Sequence, residues 1–241
     1  METHGPHLQH NPGKRFRHYV YEFFMLFLAV SLGFFVENLR EHYVEKNRAY
    51  ELAASLFEDL KKDTIALHSA INFSERKINA SGNMLIMLHH FSEGLNDTAF
   101  YENMVSIISS SPLISSDGTY NQMRSSGALR YFDQSLVNLM NAYDVQLKKS
   151  KFRDETEDKA VWVLGDFMFD IINLEVVSDI RFDRPISHKI YLKVTNDATA
   201  DKLINLVVTN RIFRTRTLQE YNAQLEIADH LLEALKKEYH L

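Results

Sequence analysis

Apolar residues run almost unbroken from Phe23 to Val36, relieved only by Ser31 and Gly33, and no side of that stretch is polar. A surface helix of a soluble protein keeps a polar face, so the run predicts a helix set in lipid rather than docked on a core. Tyr19, Val20 and Tyr21 precede it as an interfacial aromatic girdle. From residue 19 to 37 such a helix measures roughly 28 Å at ~1.5 Å per residue, close to a ~30 Å hydrocarbon core. A secretory signal peptide shares the basic start and apolar centre, but no small-x-small cleavage site follows Val36, and Ser31-Leu32-Gly33 lies inside the run itself. Retention as an anchor is the expectation.

Beyond the run the pattern changes to apolar positions three and four apart. Leu39, Tyr43 and Tyr50 lead into Ala53, Phe57, Leu60, Leu67, Ile71, Ile78, Leu85 and Leu88, interrupted by Thr64, Ser74 and Ser81. This predicts a stalk that continues the anchor helix, loosened near Gly82-Asn83 and stopped by Ser92-Glu93-Gly94 with Asn96-Asp97. A shorter helix follows near 100–109. Thr119 is placed to cap another that holds Tyr120, Met123 and Leu129, and Asp133 to cap a long one with Leu136, Leu139, Met140, Tyr143 and Leu147. From Lys148 to Lys159 the only apolar candidate for the core is Phe152, yet no Gly or Pro intervenes and the pattern resumes at Val161, Trp162, Leu164, Phe167 and Met168. One continuous helix with a solvated middle is predicted. Pro185 and the alternation Ile190 to Val194 predict a loop and a short strand between Ser178 and Thr195. A last helix starts near Asn196 to Thr199 and carries Leu218, Tyr221, Leu225, Ala228, Leu232, Leu235 and Tyr239.

The resulting fold class is all-α: a flexible basic tail over 1–17, a single transmembrane helix over 18–37, and an elongated antiparallel helical bundle over 38–241. Composition agrees, with 45% hydrophobic and 24% charged residues against only 8 Gly and 4 Pro, a globular balance that leans to helix. A net charge of -5 argues against nucleic acid as a partner. The absence of cysteine excludes disulfides, thiolate metal sites and a thiol nucleophile. Lys14, Arg15 and Arg17 cluster before the run more tightly than Arg40, Lys46 and Arg48 after it, which predicts a cytoplasmic N-terminus and an outer domain.

Specific chemistry is sparse. Glu22 at the edge of the anchor is the most pointed residue, placed for intramembrane function or for headgroup water and His18 one turn away. Ala29 and Gly33 form a small-xxx-small pair for close helix packing. With the stalk, they suggest a homo-oligomer or a protein partner beside the lipid bilayer. Arg211, Arg214 and Arg216, with Arg181 and Arg184 upstream, form a candidate patch for an anionic partner, or pair with acidic helix positions. Asp166 and Asp170 beside Trp162 read as a carboxylate pair or a solvated face, and His89 with Glu93 is the one local metal-like pair. His4, His7 and His10 sit in the tail. No zinc-protease, di-iron, phosphate-loop or nucleophile-elbow motif occurs, so no enzyme, cofactor or resident metal is expected.

Several residues also carry a resemblance. Glu22, the apolar run and Glu37-Asn38-Leu39-Arg40-Glu41, followed by Leu56-x-x-Asp59-Leu60-x-x-Asp63, Thr119-Tyr120 and Ser126-Gly127-x-Leu129, resemble a family of uncharacterised single-pass membrane proteins of Bacteroidota. Tyr21, Glu37, Leu39 and Arg40 depart from its Gly and Asn-Asn-Trp-Asn pattern. The resemblance covers about residues 15 to 150 and implies an anchor with an outer helical domain, but no activity. With the charge asymmetry, the expected location is a bacterial inner membrane with the domain in the periplasm. Three function classes follow: an interaction or structural component of the cell envelope, a ligand-sensing input domain that signals through a partner, and an enzyme. The first is the leading expectation.

Overall fold

In the computed structural model, residues 12–90, 97–193 and 197–241 are described. The tail histidines His4, His7 and His10, the stop signal Ser92 to Asn96 and the partner Glu93 of His89 lie outside them. Six α-helices occur among the described residues: α1 Pro12–His89, α2 Asp97–Ile108, α3 Gly118–Ser126, α4 Gln134–Phe169, α5 Leu174–Arg181 and α6 Asp197–Tyr239. The chain divides into two units, Met1–Glu51 and Leu52–Leu241.

In the first unit, α1 is helical from Pro12, the first described residue. Residues 12–17, expected in a flexible tail, are therefore helical. The window of highest hydropathy averages 1.9, is long and apolar enough to cross a membrane, and has none of its residues buried within the protein. Each large apolar side chain from Phe23 to Val36 is between 51% and 74% exposed. A core helix of this fold would be covered; this one is not. Glu37 and Arg40 form an exposed ion pair just past the run.

The second unit is built on three seams. Buried positions on α1 include Ala53, Leu56, Leu60, Asp63, Leu67, Ala70, Ser74, Lys77, Ser81, Met84 and Leu88, a series spaced alternately by three and four, with Ala80 buried beside it. α4 buries Leu136, Met140, Tyr143, Leu147, Ser150, Asp154, Glu157, Leu164 and Met168 with the same spacing, and α6 does so from Ala200 to Leu235. A 3.5-residue repeat keeps one narrow stripe facing the neighbours, so the helices pack as coiled-coil legs. Asp63 meets Tyr143 and Lys77 meets Glu157, so α1 and α4 run parallel. Tyr221 meets Asp154 and Asn210 meets Ala160, so α6 runs against them.

Between α1 and α4 the chain returns as a broken leg: α2, an extended stretch over 109–117, then α3 and a 3₁₀ turn over Ala128–Tyr131. Consecutive legs are thus antiparallel, as expected, but one leg is only partly helical. Gly127, at φ 72°, takes the left-handed conformation that ends α3 and turns the chain towards α4. Asp133 precedes α4 in extended conformation without a side-chain cap, and Thr119 lies inside α3 rather than capping it.

α4 continues unbroken through the charged stretch, as its lack of Gly and Pro predicts. The solvated middle does not hold, because Ser150, Asp154 and Glu157 occupy the seam while Phe152 is 61% exposed. Residues 171–193 fold back over the end of the bundle. Of the short strand expected at 190–194, the described residues 190–193 form a single antiparallel bridge, Ile172 to Leu192, Val194 lying outside the described residues, and α5 takes part of the expected loop. Ala80, Met84, Phe100, Tyr101, Met104, Leu164, Ile172, Val176, Leu203 and Val207 form one apolar cluster there.

Candidate functional site

The seam positions that carry polar side chains stack into a ladder through the middle of the bundle. At its lower end Asp59 Oδ2 accepts from Thr119 Oγ1 at 2.6 Å, and Ser55 Oγ lies 2.8 Å from the same hydroxyl. One turn on, Asp63 accepts from Ser115 Oγ at 2.6 Å, from the Ser116 amide at 2.6 Å and from Tyr143 Oη at 2.7 Å. Gln224 Nε2 donates to Tyr143 Oη at 3.2 Å. Higher still, Asp154 accepts from Tyr221 Oη and from the Leu113 amide. Lys77 Nζ donates to the Ser109 carbonyl at 2.9 Å.

These contacts share one cause. An extended leg inside a helical bundle has backbone amides with no intrahelical partner, and a buried unpaired amide costs about 1–3 kcal/mol. Asp63 and Asp154 supply the missing acceptors for the broken leg, and Lys77 supplies a donor.

At the top of the ladder Glu157 Oε1 takes Lys77 Nζ at 2.8 Å and Arg214 Nε at 2.7 Å, while Arg214 Nη1 reaches Ser74 Oγ at 3.2 Å. Phe73 covers both cations, 5.9 Å from Lys77 Nζ and 5.5 Å from the Arg214 guanidinium. Burial pushes the Lys77 ammonium below its ordinary range, and the Arg214 charge acts the same way against the opposing pull of Glu157. The Asp154 carboxyl is raised, chiefly by burial. Tyr143 and Tyr221 are raised well above a free phenol, again chiefly by burial and then by the carboxylates beside them. Glu157 Oε2, Ser150 Oγ, Asn210 Oδ1 and Gln224 Oε1 are buried without a hydrogen-bond partner among the described residues.

A second cluster lies on the fold-back. His188 Nδ1 meets Asp179 Oδ2 at 2.8 Å, and the Ser187 amide and hydroxyl approach the same oxygen. Ser187 Oγ stands 3.3 Å from His188 Nδ1, the nitrogen already facing Asp179. A nucleophile relay needs the base's opposite nitrogen towards the serine, so this geometry ties a loop rather than activating a hydroxyl.

The residues singled out from sequence are distributed as follows. Glu22, Ala29 and Gly33 lie exposed on α1, and Gly33 has open space where a Cβ would sit. Among the described residues Glu22 makes no ion pair with His18. Arg211, Arg214 and Arg216 do not form one patch. Arg214 is 3% exposed and bound to Glu157, because residue 214 falls on the α6 seam while 211 and 216 fall outside it. It is closed to an anionic partner. Arg211 and Arg216 line a groove with Leu85, Val208 and Ile212. Arg184 pairs with Asp179 on the fold-back and is not among the residues that line that groove. Asp166 and Asp170 are solvated beside an exposed Trp162, and among the described residues no group of three His, Asp or Glu is arranged to hold a metal.

Of the ladder, Asp59, Asp63 and Thr119 stand out in the sequence through the resemblance, Tyr143 and Tyr221 through helix spacing, and Arg214 in the basic group, where its bond to Glu157 matches the alternative of pairing with an acidic helix position. Lys77, Asp154 and Glu157 were missed. They had one available signal: each sits on the three-four spacing of its own helix. Comparison with known proteins yields no matching family model, no matching curated protein and no matching solved structure.

Proposed function

We propose that the chain is a membrane-tethered helical interaction module of a bacterial cell envelope, fastened by residues 18–37 with its N-terminus cytoplasmic and its bundle in the periplasm. One observation carries the reading: a helix apolar on all sides whose most hydropathic window is wholly uncovered by the rest of the chain. An α-helix satisfies its own backbone, so such a segment is stable in hydrocarbon and costly in water. Exposing eleven large apolar side chains to water would far exceed the few hundred square ångströms of apolar patch that soluble monomers carry.

The interior of the bundle supports the second half of the reading. Its polar groups bind one another and the broken leg, so the ladder acts as scaffold, and recognition falls to the outer faces. Asp59, Asp63, Thr119, Tyr120 and Gly127 are among the residues that resemble the Bacteroidota family, and each of these five has a structural task in this fold.

Alkaline carbonate extraction of native membranes tests the anchor. The protein is expected to stay with the lipid, whereas Leu28→Arg, which places a charge at the midpoint at a cost of about 2.5–3.5 kcal/mol, should lower the membrane fraction. Release of the wild-type chain by carbonate would overturn the reading. Crosslinking in intact membranes tests the interaction half, and an adduct absent under every condition counts against it.

A further inference from the structure

Two outer faces of the bundle are complementary. On the C-terminal half of α4, Trp162, Val163 and Phe169 are 73%, 58% and 52% exposed, with Asp166 and Asp170 exposed among them. Spacings of three and four place Trp162, Asp166 and Phe169 on one side, opposite the buried Leu164 and Met168. Between α1 and α6 lies the groove of Leu85, Val208 and Ile212, flanked by Arg211 and Arg216. Among the described residues none of Asp166, Asp170, Arg211 and Arg216 has an ion-pair partner. One face offers aromatic bulk with free carboxylates; the other offers an apolar floor with free guanidinium groups.

Their placement decides how they can meet. Asn210 donates to the Ala160 carbonyl in an antiparallel pairing, so Val208 at the edge of the groove stands level with Trp162, and from there the groove and the aromatic face run in opposite directions along the bundle. α6 turns Glu220 towards α4, where Gln146 donates to it at 2.8 Å, and turns Arg211 towards α1, 3.8 Å from the Cβ position of Gly82. The groove therefore opens away from α4, and the two faces of one copy cannot touch each other.

We propose that the Trp162–Asp166–Phe169 face of one copy docks in the Arg211–Ile212–Arg216 groove of the next copy of this chain. The inference deepens the interaction reading by naming a partner, and it does not depend on the anchor. Because the joined surfaces differ, the contact is heterologous and leaves a free face and a free groove at the ends. Assembly should pass beyond the dimer.

The test uses the full chain in detergent micelles, followed by sedimentation and by fluorescence of Trp162, the single tryptophan. Wild-type protein is expected to grow past the dimer with concentration, with a blue shift as Trp162 leaves water. Asp166→Arg and Arg211→Asp should each weaken association about tenfold or more, since like charges then face across the junction. Mixed in equal amounts, the two variants should associate again, because every mixed junction pairs a carboxylate with a guanidinium. Circular dichroism establishes that both variants keep their helices. Wild-type protein that stays monomeric, single variants that assemble as wild type does, or a mixture that stays dispersed would each overturn the proposal. Loss of membrane attachment in carbonate would bear on the anchor alone.

Discussion

Arg214 Nε donates to Glu157 Oε1 at 2.7 Å across 57 residues of chain, and the two side chains are 3% and 0% exposed. Lys77 shares that same oxygen, so one carboxylate holds two buried cations on two other helices. Removing the carboxylate strands both. Glu157→Ala is expected to cost about 3–5 kcal/mol in a denaturant titration, the usual penalty for breaking a buried ion pair from one side. Replacing all three with apolar residues, Lys77→Met, Glu157→Leu and Arg214→Met, should leave stability equal or higher by about 1–4 kcal/mol. An unchanged midpoint for Glu157→Ala would contradict the pairing.

Asp63 anchors the extended leg through Ser115, the Ser116 amide and Tyr143. Asp63→Ala should destabilise by about 1–3 kcal/mol for each buried group left unpaired. Amide hydrogen exchange locates the effect: the Ser116 amide is expected to lose protection first, while the amides of α4 keep theirs. Uniform loss across the bundle would point instead to global unfolding.

Tyr143 and Tyr221 hold their protons above the ordinary phenol range, burial being the main cause. The unfolded chain therefore gives up these protons more readily than the folded one, and stability falls as pH rises above about 10, the unfolded value. Absorbance titration should show these two rings ionising only as the helices melt. Tyr221→Phe is expected to flatten the alkaline slope, and full ionisation in the folded chain would contradict the burial.

On the fold-back, the hydrogen bond with Asp179 raises His188 and the same bond lowers Asp179. The His188 contribution is complete below about 6.5 and is lost as pH climbs through its raised folded value. The Asp179 contribution is present above about 3.9 and is lost as pH falls through its lowered value. Protection of the Ser187 amide should therefore peak between the two, and His188→Gln should remove the loss on the alkaline side. A flat profile for wild-type protein would rule out the tie.

Helix content was legible in the sequence because apolar spacing and the scarcity of Gly and Pro are local signals. α4 is the clearest instance, continuous through Lys148 to Lys159 for the reason its composition suggests. What the spacing concealed was its polar half. Ser74 and Ser81 interrupted the apolar pattern on α1, yet both occupy the seam, as do Lys77, Asp154, Glu157 and Arg214. A charged residue is ordinarily a mark of solvent; it becomes interior only when its counter-charge arrives from another helix. Glu157 and Arg214 are far apart along the chain, and Lys77 and Glu157 are farther, so neither pairing leaves a local trace. The same distance hid the link between Thr119 and Asp59, although both residues stood out as motif positions. Arg211 and Arg216 remained on the surface because they miss the seam that takes Arg214.

The chain contains no cysteine, so single-cysteine variants report on one position each. Leu28→Cys lies in the middle of the apolar run and Ile65→Cys on the bundle, and both native side chains are exposed in the structure, at 51% and 72%. Membranes opened to make both sides accessible are treated with a water-soluble maleimide. Lipid around residues 18–37 requires that Cys at 65 reacts and Cys at 28 does not until detergent is added. Equal labelling of the two positions before detergent would place the apolar helix in water or beneath another protein's loose cover, and would contradict a membrane anchor.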